Sequence, residues 1–92
     1  MMYTDKVVII TGGSKGIGKG CVQAFVGAGA NVVFCARKVD EGEALAAELG
    51  ATGPGEATFV TCDVAKTFEL RGLIESTVKK YGQLDCLINN AG

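Results

Sequence analysis

A cluster of glycines near the N-terminus constrains the fold of this chain more than any other feature. Gly12, Gly16 and Gly18 follow the apolar run Val-Val-Ile-Ile at 7–10 and precede a segment with apolar residues at helical spacing. A short run that is apolar on both faces is typical of a strand in the middle of a parallel sheet. Because glycine tolerates backbone conformations that other residues avoid, the cluster permits a sharp turn between the two. The pattern predicts a strand–turn–helix unit.

The rest of the chain alternates between the same two kinds of segment. The spacing predicts strands over 7–10, 31–36, 57–62 and 84–89, and helices over 16–28, 40–49 and 70–81. In the first helix, one face would carry Ile17, Cys21, Phe25 and Ala28. The three helices would end at Gly29, Gly50 and Gly82. One helix between successive strands favours right-handed crossovers and parallel neighbours. We therefore expect an α/β fold, a Rossmann-type doubly wound parallel sheet with strand order 3-2-1-4.

The composition is that of a folding chain, and it excludes several classes of function. The 92 residues are 48% hydrophobic, and the net charge of −1 gives no attraction to nucleic acid or to an acidic membrane. The absence of His excludes a His-based triad and His-ligated zinc within this chain. The longest uncharged stretch, 20–36, is interrupted by polar residues and glycines, which is poor for a membrane span. Four cysteines without a C-x-x-C pair predict buried thiols, and we expect a cytoplasmic protein.

The glycine turn is also the candidate binding site. Backbone amides at 16–18, at the start of a helix, would face a ligand, and the helix dipole would favour a negatively charged one such as a diphosphate. An ordinary glycine-rich connection is the alternative. A second alternative is the P-loop, because residues 13–20 match that motif at all but one of its defined positions. The exception is Gly20, which stands where the motif needs a hydroxyl to hold magnesium.

The end of the second strand bears on the choice of nucleotide. An acid about 20 residues past the glycines would bind a ribose 2′-hydroxyl, whereas arginine accommodates a 2′-phosphate. The chain has Ala36 and Arg37 there, with no acid before Asp40, and Lys15 within the turn adds a second positive charge. This arrangement favours NADP(H), with NAD(H) as the alternative. For Lys15 and Arg37 the alternative to a role in binding is a solvated side chain.

Polar side chains follow the third and fourth strands at the same predicted edge. Asp63 could accept a hydrogen bond from an adenine amino group, or it could simply cap the next helix. The amides of Asn89 and Asn90 could tie neighbouring strand ends together or touch a ribose. The candidate cofactor-binding residues are Gly12, Ser14, Lys15, Gly16, Ile17, Gly18, Arg37, Asp63, Val64, Asn90, Ala91 and Gly92.

The motifs together resemble the short-chain dehydrogenase/reductase family. The T-G-x-x-x-G-I-G motif at 11–18, Asp63 and the N-N-A-G motif at 89–92 match in identity, order and spacing. The resemblance implies hydride transfer between NAD(P) and an alcohol or ketone. It places Gly12 and residues 16–18 at the cofactor phosphates, Asp63 and Val64 at the adenine, and residues 90–92 near the ribose.

The wider sequence resembles that of type-14 17β-hydroxysteroid dehydrogenases, also called retinal short-chain dehydrogenases, over residues 3–8, 32–35 and 84–87. This resemblance implies a hydroxysteroid substrate. Those enzymes carry an acid where this chain has Ala36, so their use of NAD does not carry over. The family's catalytic Ser and Tyr-x-x-x-Lys follow the N-N-A-G motif, and neither Tyr3 nor Tyr81 has Lys four residues later. We therefore expect no catalytic residue within this chain.

The implied unit is the N-terminal part, 1–92, of a single dinucleotide-binding domain that is cut after its fourth strand. The family resemblance also implies a homo-oligomer, commonly a tetramer, for the complete protein. The alternative is a truncated, non-catalytic isoform that binds nucleotide or pairs with a partner through its uncovered edge.

Overall fold

The computed structural model describes residues 2–13 and 16–90. Strands alternate with helices as predicted: β1 (Val7–Thr11), α1 (Gly16–Gly27), β2 (Asn31–Ala36), α2 (Val39–Thr52), β3 (Glu56–Thr61), α3 (Thr67–Tyr81) and β4 (Cys86–Asn89). The strands of this described part form a parallel sheet in the order β3-β2-β1-β4, which confirms the predicted topology. The chain therefore moves outward from β1 to β3 and then returns to the other side of β1.

The sheet separates two apolar clusters because alternate residues of each strand point to opposite faces. On one face, Ile10 and Phe34 pack with Val22 and Val26 of α1. The other face holds a smaller cluster to which α3 contributes Leu73; its buried members are Ile9, Val33, Cys35, Cys62 and Leu73. All five residues of β1 are buried, as expected of a strand with neighbours on both sides and helices on both faces.

The predicted apolar face of α1 is wrong at its first residue. Val22 and Val26 are fully buried, with Cys21 and Phe25 only partly so, whereas Ile17 is 79% exposed. The buried stripe begins at Gly18, one position further along, and continues at Val22 and Val26. The exposure of Ile17 leaves an apolar side chain next to the glycine turn.

The helix ends agree with the predictions at two of three glycines. Gly29 follows α1 with a φ of 94°, and Gly82 caps α3 with a φ of 78° while its amide donates to the Val78 carbonyl. Gly50 does not end α2, which continues to Thr52 and is capped by Gly53 at a φ of 52°. A glycine inside a helix costs about 1 kcal/mol relative to alanine but does not stop it.

The fourth strand is shorter than predicted, and most of it is exposed. It begins at Cys86, and the preceding Asp85 exchanges two hydrogen bonds with Val7: the Val7 amide donates to the carboxylate and the Asp85 amide donates to the Val7 carbonyl. Cys86 is exposed, so the prediction of buried thiols is wrong there; Cys35 and Cys62 are buried and Cys21 is half-buried. Within the described residues, no helix has the length and apolarity needed to cross a bilayer.

Candidate nucleotide-binding site

The glycine turn closes over the end of β2. The amides of Gly12 and Gly13 both donate to the Cys35 carbonyl, at 2.8 and 3.2 Å. Gly12 has a φ of 67°, a conformation that favours glycine. A Cβ at Gly13 would lie 2.8 Å from the Cβ of Phe34, so this position has no room for a side chain. Backbone hydrogen bonds and close packing therefore hold the first half of the turn.

The start of α1 lies open beside that turn. Gly16 is exposed with a φ of 56°, and a Cβ built there meets nothing within 4 Å. Gly18 is buried instead, and a Cβ on it would overlap the Gly12 carbonyl oxygen. Gly18 therefore allows α1 to approach the turn closely. The first amides of a helix lack partners within that helix, so this arrangement suits an anion.

The ends of β1 and β4 are joined by a polar network around Thr11. The Thr11 hydroxyl donates to the Asn89 side-chain carbonyl at 2.8 Å and accepts the Asn90 amide at 2.9 Å. The Asn90 side chain donates to the Gly12 carbonyl at 3.3 Å. The prediction that these asparagines tie strand ends together is confirmed. Thr11 was not singled out from the sequence, although a hydroxyl at the end of an apolar strand was the available signal.

A second part of the site is an open cleft of about 380 Å³ at the carboxyl ends of β1, β2 and β3. It is lined by Gly12, Cys35, Ala36, Arg37, Cys62, Asp63, Val64 and Ala65. The cleft thus extends from Gly12 of the glycine turn to Arg37, expected at a 2′-phosphate, and to Asp63 and Val64, expected at the adenine. The predicted Gly12, Arg37, Asp63 and Val64 are brought together there.

Asp63 does not cap α3. The helix begins at Thr67, with Lys66 at the N-cap position, and the Asp63 carboxylate instead accepts the Ala65 amide at 3.0 Å. This is the short turn that aspartate commonly makes with the backbone two residues later. The Asp63 amide donates to Glu69 at 3.2 Å, which fixes the loop between β3 and α3. The helix-cap interpretation is therefore wrong, and the adenine interpretation stays a prediction.

The charges around the cleft are few. Arg37 is exposed at the end of β2, beside the half-buried Ala36. Among the described residues that line the cleft, Asp63 carries the one carboxylate. Burial raises the pKa of the Cys35 thiol to about 11 and also raises the pKa of Cys62, so both thiols are neutral at pH 7. Asp63 is therefore the one negatively charged group among the described residues that line the cleft with Ala36.

The predicted residues fall into three groups. Gly12, Gly16, Ile17, Gly18 and Asn90 surround the glycine turn, whereas Arg37, Asp63 and Val64 belong to the cleft. The predictions for Ser14, Lys15, Ala91 and Gly92 lie outside the described residues. No group of three or more side chains suited to hold a metal ion occurs in the part of the chain that the structure describes.

Comparison with known proteins identifies the family. The short chain dehydrogenase model matches residues 6–92, so the chain belongs to the short-chain dehydrogenase family. L-fucose dehydrogenase from Bos taurus is 46% identical over 90 residues, which are 98% of this chain and 32% of that protein. Tropinone reductase-like 2 from Erythroxylum coca is 47% identical over 87 residues, 95% of this chain and 30% of that protein. The chain spans about a third of the length of these relatives.

Solved structures agree with this assignment. A metagenomic short-chain oxidoreductase in complex with NADP superimposes with a TM-score of 0.93 at 33% identity, covering 100% of this chain and 41% of the other. A hydroxysteroid dehydrogenase from Escherichia coli gives a TM-score of 0.91 at 37% identity, covering 98% of this chain and 38% of the other. The Rossmann-like arrangement of sheet and helices is therefore shared with members of the family.

Proposed function

We propose that residues 1–92 are the cofactor-binding N-terminal part of an NADP(H)-dependent oxidoreductase. The observation that carries the proposal is the glycine turn, which places the open start of α1 at the point where the strand order reverses, between β1 and β4. In open α/β sheets, ligands bind at this switch point, beyond the carboxyl ends of the strands. The family membership supports the same assignment.

The residues at the turn have distinct parts in this proposal. The amides at the start of α1, from Gly16 to Gly18, bind the diphosphate, and the helix dipole stabilises its negative charge. Gly18 lets the helix approach, and the Asn90 side chain donates to the Gly12 carbonyl beside it. Because the hydrogen bonds of Gly12 and Gly13 are internal to the protein, this described part of the turn is organised before a ligand arrives.

The end of β2 supports NADP(H) over NAD(H). Ala36 contributes neither negative charge nor bulk beside the cleft, and Arg37 offers a planar set of donors to a 2′-phosphate. The metagenomic relative with a similar fold was solved with NADP, which supports the same choice. NAD(H) is the second candidate, since Asp63 and Val64 would contact an adenine in either cofactor.

A pair of substitutions at one position tests this choice. Ala36→Asp in the full-length protein should weaken NADPH binding by about 1–3 kcal/mol, roughly 5- to 150-fold, because a carboxylate repels the 2′-phosphate. Ala36→Asn is the matched control, with nearly the same shape and no charge. Affinities for NADPH and NADH are measured by titration of each variant. Equal NADPH affinities for the aspartate and asparagine variants would contradict the proposal.

The substrate we propose is a secondary alcohol or its ketone. Bound NADP(H) would supply the hydride exchange, and the Ser and Tyr-x-x-x-Lys of the family are expected in the full-length protein after residue 92. A hydroxysteroid is supported by the type-14 resemblance and by the Escherichia coli neighbour, and a sugar hydroxyl by the L-fucose dehydrogenases. Turnover of one class and not the other by the full-length protein decides between them.

The proposed assembly follows from the family resemblance, and the proposed location follows from the cysteines that lack a C-x-x-C pair. We propose a cytoplasmic homo-oligomer, a tetramer, whose other partner is the small-molecule substrate. The alternative, a non-catalytic isoform that binds nucleotide or another protein, is favoured by the exposed β4, where Leu87 is 42% exposed. NADPH-dependent turnover by the full-length protein supports the enzyme; nucleotide binding without turnover supports the alternative.

A further inference from the structure

Two cysteines lie side by side at the base of the cleft. Cys35 is near the end of β2, and Cys62 directly follows β3, where its amide donates to the Ala36 carbonyl at 3.3 Å. Because residue 60 is the register partner of Cys35, Cys62 lies two residues further along and on the same face of the sheet. Both cysteines belong to the apolar cluster under α3, and both line the cleft.

The two thiols interact with each other. Burial raises the pKa of the Cys62 thiol, and the neighbouring Cys35 thiol acts to a smaller extent in the opposite direction. The Cys35 pKa is raised by burial and, to a smaller extent, by Cys62. The proposed cofactor chemistry uses neither sulfur, so the pair is an additional feature of this site.

We propose that Cys35 and Cys62 form a dithiol site that captures trivalent arsenic, a soft, thiol-seeking metalloid. Sulfur is the preferred ligand of such soft centres, and two thiols that share one apolar cluster and line one cleft are placed to bind a single arsenic atom together. Arsenic(III) carrying one aryl group needs only these two further ligands. Phenylarsine oxide is therefore a suitable probe.

The reaction needs no oxidant or reductant. Each thiol forms one arsenic–sulfur bond and gives up its proton, and the arsenic–oxygen bond of the oxide breaks. The two protons and the oxygen leave as one water molecule, and the oxidation states of arsenic and sulfur are unchanged. Cys62 is 4% exposed and Cys35 is not exposed, so we expect the first bond at Cys62 and ring closure at Cys35.

Capture at this site would prevent nucleotide binding, a consequence that rests on the proposed function. The arsenic-bound aryl group would occupy the cleft beside Ala36, where the cofactor's adenosine end is proposed to bind. The Cys35 carbonyl also holds the amides of Gly12 and Gly13, so any shift of Cys35 is transmitted to the glycine turn. Bound NADPH should in turn protect the thiols.

The test uses the full chain with Cys21 and Cys86 replaced by Ser, since those two cysteines lie outside the cleft. Intact mass spectrometry after treatment with phenylarsine oxide should show one adduct, which resists glutathione but is removed by dithiothreitol. Adding Cys62→Ala should abolish that resistance, because a single arsenic–sulfur bond exchanges with monothiols. An adduct that glutathione removes, or one that resists glutathione without Cys62, would overturn the proposal.

A measurement on the protein without substitutions tests the same site even if the variants do not fold. After capture, proteolysis should release the peptides containing Cys35 and Cys62 joined through arsenic. Arsenic found on other cysteines alone would overturn the proposal. NADPH at saturation should suppress the adduct. If the adduct forms while NADPH neither binds the protein nor protects the thiols, the proposed function fails and the dithiol site stands. If NADPH binds, but no adduct forms when NADPH is left out, only the dithiol site fails.

Discussion

Replacing Gly18 by alanine tests how closely α1 must approach the glycine turn. The added Cβ would overlap the Gly12 carbonyl oxygen and lie 2.9 Å from its carbon and 2.7 Å from the Asn90 side-chain nitrogen. Two of these atoms belong to the backbone, which cannot rotate away as a flexible side chain would. The helix must therefore move outward, and the Asn90 hydrogen bond to Gly12 must stretch or break.

The expected loss of stability is the balance of three effects. Overpacking costs about 1–3 kcal/mol, and a backbone obstacle favours the upper end of that range. Loss of the Asn90 hydrogen bond costs about 1 kcal/mol. The higher helix propensity of alanine contributes about 1 kcal/mol in the opposite direction. We therefore expect Gly18→Ala to lower the free energy of unfolding by about 2–3 kcal/mol.

The assay is urea unfolding of the full-length protein, with Gly20→Ala as the matched control. Gly20 lies in the same helix and is exposed, and a Cβ there meets nothing within 4 Å. The control variant should be more stable than the unaltered protein by up to about 1 kcal/mol. Equal stability of the two variants would refute the argument that Gly18 is required for close packing.

Three further substitutions test other parts of the structure. Thr11→Val removes the hydroxyl between the ends of β1 and β4 and should cost about 1–3 kcal/mol in urea unfolding, whereas Thr11→Ser should retain most of the stability. Gly42→Ala places a Cβ against the ring of Phe59 and should cost about 1–3 kcal/mol; adding Phe59→Leu should recover part of this loss, and strict additivity would contradict the contact. The Val7 amide lowers the pKa of Asp85 below its usual value of 3.8, so the stability it contributes is present above that value and is lost as pH falls through the lower folded pKa. Asp85→Asn should therefore reduce the decline of the urea midpoint below about pH 4, and an unchanged decline would contradict this assignment.

The topology could be predicted from the sequence because its signals are local. Short apolar strands, helical spacing and a glycine turn each depend on neighbouring residues, and right-handed crossovers then leave few arrangements. Gly12 and Gly16 marked the turn for the same reason, since their positive φ favours glycine whatever packs around it, whereas Gly18 is required by the close approach of α1. The strand order 3-2-1-4 followed from these signals.

Other features depend on contacts between distant parts of the chain. Helical spacing placed Ile17 on the buried face, whereas the packing of α1 on the sheet buries Gly18, Val22 and Val26 and leaves Ile17 exposed. The role of Thr11 appears only when β4 lies beside β1, 77 or more residues away in sequence. Likewise, the pairing of Cys35 with Cys62 depends on the register of β2 and β3. Spacing along the chain carries no information about these contacts.

The most direct test of the proposed function is a crystal structure of the full-length protein with NADP bound. We expect diphosphate oxygens about 3 Å from the first amides of α1, between Gly16 and Gly18, and the 2′-phosphate next to Arg37. A structure in which the diphosphate binds elsewhere while the start of α1 contacts only solvent would contradict the assignment of this turn as the cofactor site.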